Sequence, residues 1–209
     1  MRRSSPFAAL AYLLGLAALL AGCCANNTCD CDDQLEDAIQ LQFRVGDPAL
    51  DPSSFRPEEV DTVRLVRYRL PPKKDPPATP VPPAPIVPDT VVLARPTARQ
   101  ANDIITISNT APFPISGSLR VNAYRYAILL TNGRRQTSRL RVRQRYDVSS
   151  ITLDGGYQAD GCCTCYENRQ KQAYLRISAP GSSQPTRSDS AFYNLKQASS
   201  QLIELTRPR

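Results

Sequence analysis

The chain has no histidine and no tryptophan among its 209 residues, and its one methionine is the first residue. Without imidazole there is no Ser-His-Asp triad, no histidine acid–base step and no histidine-ligated metal site. Most hydrolase mechanisms go with them. Catalysis by paired carboxylates is formally open, but the acidic residues gather at Asp30, Asp32, Asp33, Glu36 and Asp37, where a solvated tether is the simplest reading. That run also lacks the glycine and spacing of an EF-hand loop. No enzymatic activity and no cofactor are therefore expected. Long hydrophobic stretches are scarce too: the one apolar run, Phe7 to Leu20, is shorter than the roughly 20 residues a spanning helix needs.

That run follows Arg2 and Arg3 and ends in Leu20-Ala21-Gly22-Cys23. Two small residues before a thiol let an enzyme approach the backbone, and a thiol is a soft nucleophile that can accept a lipid as a thioether. The box resembles that of bacterial prolipoproteins in every position. The resemblance implies that residues 1–22 are a signal peptide removed at Cys23, and that Cys23 receives a diacylglycerol with further acylation (palmitate) at the new amino terminus. Two or three chains anchor firmly where one binds reversibly. The alternatives are an ordinary secretory signal with a fortuitous cysteine and a retained membrane helix, for which the run is too short. The expected address is the cell envelope, with the outer membrane first among its membranes.

Charge then narrows the partners. The chain holds 26 basic and 19 acidic residues, and only Arg2 and Arg3 of the basic set leave with the signal. In the cytosol this excess would suggest nucleic acid, but an exported chain meets little of it, so no nucleic-acid partner is expected. Anionic lipid, an anionic glycan or another envelope protein is the better match.

Residues 23–37 read as a lipidated, Cys-rich acidic tether. From Ala38 to Val45 apolar residues alternate with Gln40, Gln42 and Arg44, the period of a half-buried strand. Turn dipeptides Asp47-Pro48 and Asp51-Pro52 follow, then a β-type segment from Val60 to Leu70. Further strand candidates are Thr90–Ala94, Asp103–Ser108, Leu119–Thr131, Ser138–Val148 and Tyr174–Ser178. These seven predict an all-β fold, an antiparallel immunoglobulin-like sandwich over residues 38–178, with a small barrel as the runner-up. Between residues 71 and 88 stand nine of the chain's 19 prolines. Proline donates no amide hydrogen and fixes φ, so this insertion is expected to be polyproline II or disordered, reaching roughly 55 Å at about 3.1 Å per residue. Two strands alone before it do not make a stable sheet, which favours a long loop within one domain over a linker. Residues 179–209 read as a Ser-rich tail in which Ala191, Leu195, Ala198, Leu202 and Leu205 have helical spacing after Asp189-Ser190, predicting a short terminal helix.

Around Asn132-Gly133 the two flanking segments constrain one another. Tyr124, Tyr126, Ile128 and Leu130 share one face; Leu140 and Val142 share one face of the next strand, and Arg139, Arg141 and Arg143 the other. A two-residue turn would set arginines opposite Tyr126. A three- or five-residue loop pairs Tyr126 with Leu140 and Tyr124 with Val142, since a one-residue slip inverts every side chain. The result is an exposed row of Arg139, Arg141, Arg143 and Arg145, extended by Arg125. It is a candidate anion-binding face, because the guanidinium fork suits carboxylate and phosphate. As an alternative it is a solvated strand face or a charged guard against edge pairing.

Seven cysteines include Cys23 and two triplets: Cys24, Cys29, Cys31 and Cys162, Cys163, Cys165. Adjacent and C-x-C cysteines close rings poorly, so bridges between the triplets are expected. A mixed arrangement, Cys24–Cys29, Cys162–Cys165 and Cys31–Cys163, is also open. A thiolate site for zinc or copper(I) and a redox-active Cys162-x-x-Cys165 compete with disulfides, which an oxidising exported setting favours.

Asp160-Gly161-Cys162-Cys163-Thr164-Cys165-Tyr166, and Asp61-Thr62-Val63 with Arg67-Tyr68, resemble segments of bacterial lipoproteins that carry a single β domain. That resemblance implies no particular activity. Asp61-Thr62-Val63, Asp89-Thr90-Val91 and Asp189-Ser190-Ala191 are also similar to the Asp-Ser/Thr-aliphatic acceptor of some bacterial O-glycosylation systems. Two function classes follow: a non-enzymatic envelope lipoprotein whose disulfide-stapled sandwich binds a glycan or envelope protein, and a thiolate-based metal-binding lipoprotein.

Overall fold

A computed structural model of the chain describes residues 31, 33–71, 88–113, 120–131, 142–160, 163–178, 190–196 and 201–208. The fold is all-β, two sheets packed face to face. Among the described residues there are nine strands: β1 (Ile39–Phe43), β2 (Thr62–Arg69), β3 (Asp89–Ala94), β4 (Ile105–Ile107), β5 (Tyr124–Thr131), β6 (Val142–Asp160), β7 (Cys163–Ser178), β8 (Ser190–Asn194) and β9 (Leu202–Leu205). A six-stranded sheet runs in the order β3-β2-β5-β6-β7-β8, and a three-stranded sheet in the order β4-β1-β9. Every pairing is antiparallel except β1 with β9. The six-against-three partition differs from the four-against-three of a constant-type immunoglobulin domain.

The core is built as the alternation in β1 requires. Ile39, Leu41 and Phe43 are buried while Gln40 and Gln42 are not. They meet Val63, Leu65, Tyr126, Ile128, Tyr146, Val148 and Leu175 of the larger sheet in one apolar cluster, completed by Ile203 and Leu205. Phe43 bridges the sheets with its ring 6.2 Å from that of Tyr146, near edge-on, the arrangement that ring quadrupoles favour.

The sequence stretch read as a tail with a terminal helix forms β8 and β9 instead. Ile203 and Leu205 point inward from β9, which pairs in register with β1 from Gln40↔Leu202 to Phe43↔Leu205. Helical spacing there is outweighed by two inward side chains and an unpaired edge of β1. Two four-residue helices, Asp33–Glu36 and Ala98–Ala101, were not foreseen. The second is capped by Thr97, whose Oγ1 accepts from the Gln100 amide.

The β5–β6 register is also not the expected one. Tyr126 lies opposite Val148 rather than Leu140, and the ladder ends at Thr131↔Val142, so residues 132–141 connect the strands instead of a three- or five-residue loop. The displacement is eight residues, an even number, so Val148 faces Tyr126 in the place expected of Leu140, and Tyr146 faces Ile128. Both are fully buried. The Asn132-Gly133 turn lies outside the described residues, as do residues 72–87 of the Pro-rich insertion.

Strand β6 continues well beyond Val148. Ser150 adopts φ 50°, and the β6–β7 register shifts between Ser149 and Thr152. The extra residue turns the alternation over, so that Ile151 and Leu153 face the core as Tyr146 and Val148 do before it. Past Asp154 the two strands, among the described residues, pair only with each other, as β5 stops at Val148 and β8 at Gln172. Residues 154–160 and 163–170 thus form a two-stranded arm, a unit of marginal stability unless tied down.

Candidate functional site

Three features bear on function: the cross-link that holds the arm, the outer face of the large sheet, and a cleft at one end of the sandwich.

Cys31 is bonded to Cys165, with Cα atoms 5.3 Å apart across a sequence separation of 134. Cys163 is also in a disulfide. The cross-triplet bridge was the expectation, and the mixed arrangement is overturned because Cys31 meets Cys165 rather than Cys163. Cys23, Cys24, Cys29 and Cys162 lie outside the described residues.

Beside the bridge the end of the acidic run is not solvated. Asp37 is almost fully buried, and Arg120 grips it with a fork: Nε donates to Oδ2 at 2.8 Å and Nη2 to Oδ1 at 2.7 Å. Asn168 on the arm donates through Nδ2 to the Glu36 carbonyl at 2.6 Å and to Asp37 Oδ1 at 3.1 Å, and through its amide to Glu36 Oε2 at 2.9 Å. Arg120 also donates to the Tyr166 hydroxyl and lies over that ring. Burial pushes the Asp37 carboxyl up, but the bonds from Arg120 and Asn168 outweigh it and hold the group below the usual carboxylate range. Lys171 is shifted down by burial, with Glu36 and Asp37 acting against that. These bonds, with one from Lys171 Nζ to the Leu35 carbonyl at 3.3 Å, fasten residues 35–37 to Arg120 and to β7, so the cluster reads as a structural clamp.

The outer face of the six-stranded sheet carries a line of side chains across the strands. Tyr68 on β2 lies opposite Arg125 on β5, whose guanidinium stands 4.6 Å over the Tyr68 ring. Continuing the β5–β6 register one step past Tyr126↔Val148 sets Arg125 beside Ser149. Ser149 pairs with Tyr174 on β7, and Tyr174 with Phe192 on β8. The last two rings are 5.3 Å apart, 47% and 51% exposed. Four interstrand steps of about 4.8 Å make the line about 19 Å long. Exposed Arg176 and the Arg145–Asp147 ion pair flank it.

Of the expected arginine row, only Arg143 and Arg145 are among the described residues. Arg139 and Arg141 lie outside the described residues. Arg145 remains on the outer face but is bound to Asp147, with Nη2 to Oδ1 at 2.7 Å and Nε to Oδ2 at 2.9 Å. Arg143 has left that face. Leu130 pairs with Gln144 and Thr131 with Val142, so Arg143 is the extra residue of a β-bulge. It lines, together with Gln144, a cleft of about 380 Å³ whose other walls are Phe55, Glu59, Leu130, Arg207 and Pro208. Bulges re-aim side chains in this way, and strict alternation gave no sign of it. The aromatic pair of the outer face was missed for a related reason: Phe192 sits in a stretch read as helix. No protein-family model, no curated protein and no solved structure matches the chain.

Proposed function

We propose that the chain is a non-enzymatic lipoprotein of the cell envelope, anchored through Cys23, whose stapled sandwich is a binding module for a glycan. The observation that carries this reading is the outer-face line Tyr68–Arg125–Ser149–Tyr174–Phe192, in which Arg125, Tyr174 and Phe192 are exposed and Tyr68 and Ser149 are half buried. Aromatic faces stack on the apolar faces of sugar rings, while arginine and serine between them bond hydroxyls and carboxylates. A flat sheet face with donors spaced at the interstrand distance suits an extended polymer rather than a small enclosed molecule. The runner-up, thiolate metal binding, is weakened because Cys31, Cys163 and Cys165 are spent in disulfides and metals bind the thiolate form.

The test is binding of purified cell-envelope polysaccharide by detergent-solubilised full-length protein, alongside Tyr174→Ala and Phe192→Ala variants. Both side chains are half exposed, so the fold should survive. At least a tenfold loss in each variant is expected. Equal binding by wild type and variants, or capture of an envelope protein that neither substitution disturbs, overturns the glycan reading. The anchor is tested separately by intact mass, which should show loss of residues 1–22 plus acyl chains, and by Cys23→Ala, which should abolish both processing and membrane retention.

A further inference from the structure

The cleft at the bulge is unrelated to the outer face and has its own chemistry. Its volume of about 380 Å³ falls within the range of small-molecule sites. Among its charged groups, Arg207 is engaged, its Nη2 3.2 Å from Glu59 Oε1, so that pair is close to neutral. Glu59 is further fixed by accepting from the Arg56 amide at 2.9 Å. Arg143 is exposed and makes no ion pair or hydrogen bond with the described residues. Among the described residues the cleft therefore has one positive charge without an ion-pair partner, brought there by an extra residue that breaks the strand's alternation.

The second polar element is Gln144, only 5% exposed. Its Nε2 donates to the Ser178 carbonyl at 3.0 Å and leans on the Arg145 carbonyl at 3.4 Å. With its amide hydrogens turned to the main chain, the group it can offer the cleft is the carbonyl oxygen, an acceptor. Phe55, Leu130 and Pro208 supply apolar wall. A fitting ligand thus has one oxyanion for Arg143, at least one hydroxyl to donate toward Gln144, and an apolar ring face. We infer that this cleft binds a small hydroxylated molecule bearing a single carboxylate or phosphate, of the sugar-acid or sugar-phosphate type.

Titration calorimetry on detergent-solubilised full-length protein, with glucuronate, glucose 6-phosphate and glucose as probes, tests the inference. Binding of glucuronate alone identifies a carboxylate site, binding of glucose 6-phosphate alone a phosphate site, and either result, with glucose at least tenfold weaker, supports the inference. Arg143→Gln should lose tenfold or more of that affinity with an unchanged melting temperature, and Arg143→Lys should keep part of it. Glu59→Gln, which preserves the acceptor for Arg56 but frees Arg207, should raise affinity severalfold, an effect that loss of a merely structural contact would not produce. Leu50→Ala, at an exposed side chain that belongs to neither site, should leave it unchanged. Glucose bound as well as the two anions, no binding of either anion, or full affinity in Arg143→Gln overturns it.

Discussion

Arg120 closes on Asp37 across 83 positions of sequence, with two parallel bonds of 2.8 and 2.7 Å between guanidinium and carboxylate. The carboxylate side chain is 10% exposed while the arginine is 40% exposed, so the interaction is one-sided. Arginine could be solvated without its partner, but the carboxylate could not be left alone cheaply.

Arg120→Met should accordingly cost about 2 kcal/mol, the scale of losing hydrogen bonds to a buried charged group, and Asp37→Asn less. The pH dependence has a definite sign. The carboxyl is held below its unfolded value of about 3.9, so its contribution to stability is present above that value and is lost as pH falls through the folded pKa. Urea midpoints at pH 6 and pH 3 should show a smaller acid loss in Asp37→Asn than in wild type. Parallel losses in the two proteins would remove the carboxylate from the account.

The Cys31–Cys165 bridge spans a separation of 134 residues. The chain-entropy model assigns a loop of that length about 5 kcal/mol, although measured gains are often smaller, against a total of about 5–15 kcal/mol for a natural domain. Double replacement, Cys31→Ser with Cys165→Ser, should lower the melting temperature by well over 10 °C. Non-reduced tryptic mapping must recover a peptide joining these two cysteines. Recovery of Cys165 only with Cys162 would contradict the bridge.

How far the fold could be read from sequence depended on whether a segment's own alternation was the deciding force. It was for β1, where Ile39, Leu41 and Phe43 are separated by glutamines; β2 and β3 were legible from their content of β-forming residues instead, and their limits fall within a residue or two of those expected. The cross-triplet bridge was legible because neighbouring cysteines cannot pair easily. It failed where the period breaks or a distant partner decides. Ser149-Ser150 and Gly155-Gly156 look like turn residues, yet the first pair sits at one register shift of the β6–β7 ladder and the second begins at another, inside the hairpin arm. Arg143 looked like a member of an outward row until the bulge turned it. Leu202 and Leu205 stand at helical spacing from Leu195 and Ala198, and only the edge of β1, more than 150 residues earlier, makes this stretch a strand.

Gly155 shows why the arm tolerates so little. A Cβ there would lie 2.4 Å from the Glu167 carbonyl oxygen and 2.9 Å from the Asn168 Cα, both main-chain atoms of the paired strand. Relief would require breaking the register next to the Asn168 clamp. Gly155→Ala should therefore cost about 2 kcal/mol, typical of overpacking, and expose the arm to proteolysis. Gly156→Ala, with its nearest contact the Arg169 Nη2 at 3.6 Å, should be close to neutral. Urea denaturation of the two variants is the direct comparison, and similar losses in both would refute the steric argument.

The three Asp-Ser/Thr-aliphatic sequences are not equivalent in the folded chain. Thr62 opens β2, an interior strand between β3 and β5, and pairs with Ala94; it is half buried, and the next residue, Val63, is fully buried. Thr90 and Ser190 are exposed, and both stand within the first two residues of the strands that form the two edges of the six-stranded sheet. An edge strand presents unpaired amides and carbonyls, and a bulky hydrophilic group on it would oppose pairing with a second chain in the way charged side chains do. If a host enzyme decorates these acceptors after folding, Thr90 and Ser190 should carry sugar and Thr62 should not. Peptide mapping of protein from its native host decides this. Modification of Thr62 with Thr90 and Ser190 bare, or three unmodified peptides, would reject edge-directed decoration. Where it occurs, Thr90→Ala with Ser190→Ala should leave the melting temperature nearly unchanged while increasing self-association at high protein concentration, measured by light scattering.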